Sequence, residues 1–122
     1  MPAANDIRVL IVDDDVRFAD ALTARLEGEG LRVVGYAPDG AEGLEAAAAV
    51  APSVVTMDLE LPLMDGVEAT RAITALGIPV VVITGSHPDR VGEAVAAGAV
   101  ATVAKPEVTH VLAPLLRAVA HR

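Results

Sequence analysis

Five times along its length this sequence passes from a short apolar run through a polar or glycine-containing turn into a segment with helical spacing. That alternation leaves few folds open. Consecutive strands separated by helical crossovers run parallel, and a parallel sheet needs helices on both faces. Residues 7–12 form the first run, which ends at Asp13, Asp14 and Asp15. Phe18, Leu22 and Leu26 then recur at helical spacing within residues 16–27, and Gly28 and Gly30 stop the pattern. Residues 31–37 read as a second strand. Asp39, in a Pro-Asp-Gly turn, is placed to cap a helix running to about Val50. The third strand, residues 54–57, ends at Asp58. A loop over residues 62–66 follows, with Asp65 as the cap of a helix that runs through Leu76. Residues 79–83 end at Thr84 and lead to a helix over about 89–97, stopped by Gly98. Residues 100–104 end at Lys105 and Pro106. Val111, Leu112, Leu115, Leu116 and Val119 mark one stripe of a last helix. Because Pro114 cannot donate a backbone hydrogen bond, that helix is expected to start near Val111, with Pro114 in its first turn.

Composition agrees with this architecture and narrows the function. A chain of 122 residues suits a single compact domain over residues 1–122. Hydrophobic residues make up 53% and aromatic residues 2%, so the core is built from Val, Leu, Ile and Ala, with Phe18 and Tyr36 the only rings. Tyr36 reads as a partly buried strand residue, and the Ala46–Ala49 run as a close-packed helix face. The scarcity of rings argues against flavin binding and against stacking of single-stranded nucleic acid. A net charge of −8 opposes binding of DNA or anionic membranes by this domain. There is no cysteine, which is compatible with a reducing cytoplasm, and with no apolar stretch of about 18 residues and no signal-like start over residues 1–6 a soluble protein is expected.

Polar residues collect where such a sheet places its ligands, outside the carboxyl ends of the strands. Strand one ends in Asp13 and Asp14, strand three in Asp58, strand four in Thr84 and strand five in Lys105. Each has an ordinary reading taken alone: an acidic pair caps a helix, and a terminal Thr or Lys is structural or solvated. Their coincidence at four strand ends carries the argument. Clustered carboxylates repel unless a cation joins them, and hard oxygen donors suit Mg²⁺. A phosphoryl group needs an acceptor, a metal and donors for its oxygens. Asp58, the carboxylates, and the pair Thr84 and Lys105 supply these in turn. His87, His110 and His121 lack metal-ligand spacing and read as bystanders, and Arg71 reads as a solvated helix residue.

The segments Val-Leu-Ile-Val-Asp-Asp ending at Asp14, Met-Asp-Leu-Glu-Leu-Pro-Leu-Met-Asp-Gly from Met57 to Gly66, Val-Ile-Thr ending at Thr84, and Lys105-Pro106 occur in this order. Together they resemble the receiver domains of bacterial two-component response regulators, over essentially the whole chain. The resemblance implies a flavodoxin-like doubly wound sheet of strand order 2-1-3-4-5. It implies phosphorylation of Asp58 from a sensor histidine kinase. Mg²⁺ would be held by Asp13, Asp14, Asp58 and the Glu60 backbone carbonyl, while Thr84 and Lys105 bind the phosphoryl group and switch. Asp15 falls outside the acidic pair and reads as a helix cap. The resemblance further implies a cis Lys105–Pro106 bond, a C-terminal DNA-binding output domain or a downstream protein partner, and a homodimer formed on phosphorylation. Such a domain is not a separate enzyme but assists its own phosphotransfer and autodephosphorylation. One departure stands out: Thr102 occupies a position where the family usually has Tyr or Phe, so the usual aromatic readout of activation is not available.

Two other readings use the same residues. Asp13, Asp15, Thr84 and Lys105 also echo phosphatases of the haloacid dehalogenase type. Those need a further acidic metal motif after the lysine, where only Glu107 stands, and they give Asp58 no task. An interaction module of the same fold that ignores phosphorylation would be expected to lack one of the key residues, and here all are present.

Overall fold

A computed structural model describes residues 6–85 and 88–120. His87, His121 and most of the N-terminal segment considered above lie outside the described residues. The elements alternate as expected: β1 (Arg8–Val12), α1 (Val16–Gly28), β2 (Arg32–Ala37), α2 (Gly40–Val50), β3 (Val54–Asp58), α3 (Gly66–Thr74), β4 (Val80–Thr84), α4 (Pro88–Ala96), β5 (Ala101–Ala104) and α5 (Val108–Ala120). All neighbouring strands are parallel, in the order β2-β1-β3-β4-β5. The doubly wound sheet is therefore present with the expected order.

Alternate residues of each strand feed two cores, as the two-residue period of a strand requires. Ile7, Val9 and Ile11, with Val54, Val81 and Val103, pack against Leu22 and Leu26 of α1 and Leu112 and Leu116 of α5. Leu10, Val12, Val55, Met57, Val80 and Val82 face the other way, onto Ala47 of α2, Val67 and Ile73 of α3 and Ala94 of α4. Strands β1, β3 and β4 are buried on both faces, which explains why they read as unbroken apolar runs. Helix α2 comes close to β1 at Gly43, where an added Cβ would lie 2.9 Å from a Val12 methyl.

The caps follow the sequence reading. Asp15 accepts from the Phe18 N–H, Asp39 from the Glu42 N–H, and Asp65 from the Val67 N–H. Three expectations need correction. The last helix starts at Val108, not near Val111, so Pro114 stands inside it as the seventh residue. A short 3-10 turn, Lys105–Glu107, leads into the helix and lets it begin a turn early. Pro114 faces solvent, as does His110, whose carbonyl loses its partner and can be hydrated there. Val111 is also exposed, so the buried stripe is Leu112, Leu116 and Val119. Tyr36, expected as a partly buried strand residue, stands on the edge strand at 40% exposure, and within the alanine run of α2 only Ala47 is buried.

Candidate functional site

The register of the sheet brings the polar strand ends side by side. Val12 pairs with Met57, so Asp13 and Asp58 leave adjacent strands at the same level. Asp58 pairs with Ile83, which places Thr84 one residue further along β4. Thr84 pairs with Ala104, and Lys105 follows directly. Carboxylate oxygens of Asp13, Asp14 and Asp58 lie within 4.8 Å of one another. The Lys105 Nζ sits 3.4 Å from Asp13 Oδ2 and 3.8 Å from Asp58 Oδ2. It also lies 4.5 Å from the centre of the Phe18 ring, within cation–π range. Thr84 is half-buried at the end of β4.

Local backbone fixes the two buried carboxylates. Asp13 Oδ1 accepts from the Asp15 N–H at 2.8 Å, and Asp58 Oδ1 from the Glu60 N–H at 3.1 Å. Each group is thus aimed by the chain two residues ahead of it. Gly66 closes the loop: its N–H donates to the Leu59 carbonyl, and an added Cβ would lie 2.2 Å from the Asp58 carbonyl oxygen. Only glycine lets α3 start this close to the end of β3.

Burial makes the carboxylates costly to ionise. Asp58 is 4% exposed, and its pKa is pushed up to about 6, first by loss of hydration and further by the nearby Asp13 and Asp14 charges; the Glu60 N–H and Lys105 partly counter this. Asp13 is also raised by burial, with the Asp15 N–H and Lys105 opposing. Asp14 is exposed at the mouth. Two deep carboxylates and one open one form a donor set of hard oxygens with room for water and a further ligand. That set fits a divalent cation of the Mg²⁺ type, which retains water and takes one or two carboxylates.

Two expectations about individual residues change. The Lys105–Pro106 bond is trans, because no described peptide bond is cis. Lys105 and Pro106 open the 3-10 turn before α5, and a regular helical turn with proline in its first positions is built from trans bonds. Lys105 reaches the carboxylates without the cis geometry. The second change is an addition. Arg90, on α4, grips Asp65 with Nη2 at 2.7 and 2.8 Å from the two carboxylate oxygens. This pair spans 25 positions and has no local signature; only the 3.2 Å contact of Arg90 with Glu93, three residues on, is of a kind that local spacing reveals. A groove of about 500 Å³ lined by Ser53, Thr74, Pro79, Val100 and Val119 lies by the start of β4, at the opposite end of the strands from the carboxylates.

A parallel five-stranded sheet of this order, with an acidic cluster, a threonine and a lysine at its carboxyl edge, defines a class of doubly wound α/β domains. Residues 9–117 match the model of the response regulator receiver domain, and the chain belongs to that family. It is 45% identical over 105 residues to a protein-glutamate methylesterase/protein-glutamine glutaminase of Symbiobacterium thermophilum, covering 82% of this chain and 29% of that protein. A protein of the same description from Halobacterium salinarum is 41% identical over 101 residues, with 80% and 29% covered. The chain thus spans less than a third of these curated relatives. Among solved structures, the response regulator domain of Thermotoga maritima CheB superposes with a TM-score of 0.89 at 28% identity, covering 96% of this chain and 98% of that one. The receiver domain of the response regulator NarL from Mycobacterium tuberculosis gives 0.88 at 28% identity, with 95% and 97% covered. Among the described residues no helix is long and apolar enough to cross a membrane.

Proposed function

We propose that the chain is a single phosphoacceptor domain in which Asp58 takes a phosphoryl group from a phosphohistidine on a sensor kinase. The observation that carries this is the juxtaposition of the Asp13, Asp14 and Asp58 carboxylates with the Lys105 ammonium. An Asp58 oxygen forms the new O–P bond as the donor N–P bond breaks, and the histidine nitrogen keeps the electron pair. Asp13, Asp14, Asp58 and the Glu60 carbonyl would hold Mg²⁺, which when bound offsets the carboxylate charge and polarises the phosphoryl oxygens. Lys105 and the Thr84 hydroxyl donate to those oxygens. The phosphorylated domain then controls an output, either on the same polypeptide or on a partner, in the cytoplasm. The methylesterase relatives favour an enzymatic output over a DNA-binding one. The domain's own negative charge keeps it off nucleic acid.

Acetyl phosphate or phosphoramidate with Mg²⁺ should add one phosphoryl group, read by intact mass. Asp58→Asn should abolish the addition and a chelator should suppress it. Equal labelling of Asp58→Asn would remove Asp58 from the role. Many turnovers of phosphate release from monoesters would instead favour the phosphatase reading.

A further inference from the structure

Arg90 touches three carboxylates, two on the loop after Asp58 and one on its own helix. Nη2 holds Asp65, the cap of α3; Nη1 lies 3.8 Å from Glu60 Oε1, in the loop after the acceptor strand; Nε bonds Glu93 one turn along α4. An exposed pair of this kind on one helix contributes little. Here the Arg90 side chain is 23% exposed, and two of its three partners lie on the loop that follows Asp58. That loop is tied at both ends. Glu60 donates its N–H to Asp58, and Asp65 uses the same Oδ1 to accept from both Arg90 and the Val67 N–H. Gly66 is pressed against the Asp58 carbonyl. A displacement at Asp58 therefore reaches Glu60 and Asp65 through the backbone, and Arg90 through their carboxylates. From Arg90 it passes to α4.

We infer that Arg90 is a positioning residue that holds the loop after Asp58 from α4, and so makes α4 the element that moves when Asp58 is occupied. The inference rests on Asp58 being the acceptor. It gives the domain a readout that does not use strand β5, where Thr102 stands. Coupling of this kind is reciprocal, so removing the grip should also weaken ligand binding at Asp58.

The test uses Mg²⁺ with beryllofluoride as the phosphoryl mimic and follows backbone amide shifts. In the wild-type protein, amides of residues 58–66 and 89–96 should move together. In Arg90→Gln, residues 58–60 should still respond while the α4 response falls by more than half, and the beryllofluoride affinity should drop about fivefold. Asp65→Asn keeps an oxygen to cap α3 but loses the charge, and should reproduce both losses. The double variant should add nothing further, since both changes cut one link. A merely structural role for Arg90 would lower the melting temperature without silencing α4 selectively. An α4 response of wild-type size in either single variant overturns the inference, as do fully additive losses. Absence of any response at residues 58–60 in the wild-type protein overturns the acceptor reading, and the role of Arg90 with it.

Discussion

Leu63, five residues past Asp58, has a φ of +64° and is 86% exposed. A leucine in the left-handed region meets its own following carbonyl, at a cost of about 1–2 kcal/mol, and this one recovers little by burial. Asparagine tolerates that conformation, so Leu63→Asn should raise stability by about 1 kcal/mol. Chemical denaturation should show a higher midpoint with an unchanged slope; a lower midpoint would mean that Leu63 packs in solution. Such a φ is invisible in the sequence, because the loop could turn in several ways. The acid cluster was legible for the opposite reason. Asp13, Asp58 and Lys105 directly follow or end apolar strands, and a parallel sheet gathers those ends. Arg90 was not legible, since its partner Asp65 depends on how α3 and α4 pack.

Helix α5 shows what periodicity reads well and what it does not. Leu112, Leu116 and Val119 were identifiable as the buried stripe, but the proline rule moved the start too far along the chain. The rule states the cost of an interior proline; it cannot state whether the rest of the helix offsets that cost. Here Leu112 and Leu116 dock α5 on the sheet while Pro114 points outward. Pro114→Ala should restore the N–H donor to the His110 carbonyl. An interior proline costs about 3 kcal/mol, and its restriction of the unfolded chain returns up to about 1 kcal/mol of that. The substitution should therefore stabilise by about 2 kcal/mol, seen as a melting temperature several degrees higher. No change would mean that the helix already bends to absorb the ring. Helix α3 ends at Thr74, two residues before the expected Leu76, because the chain must leave the helix to turn at Gly77 with φ +83°.

Across the whole molecule the acidic site should make stability fall with rising pH in a window where most proteins are indifferent. Asp58 has a folded pKa of about 6 against an ordinary 3.8, so the folded state binds more protons than the unfolded one between those values. Stability contributed by this group is complete below about pH 4 and is lost as pH rises through about 6. Asp13, raised in the same direction, adds to the effect. Metal-free protein should therefore melt higher at pH 5 than at pH 7.5, with Asp58 alone contributing the equivalent of about 1.4 kcal/mol. Asp58→Asn should remove most of that slope, and should be more stable than wild type at pH 7.5 without metal, because it no longer buries an ionised carboxylate. Mg²⁺ at millimolar concentration should raise the wild-type midpoint at pH 7.5, where the carboxylates are charged, and have less effect at pH 5, where protons compete for the same oxygens. Thermal unfolding of both proteins at the two pH values, with Mg²⁺ and with chelator, measures every term. A flat wild-type profile, or an Asn variant with the wild-type slope, would show that Asp58 does not carry the charge burden that its 4% exposure implies.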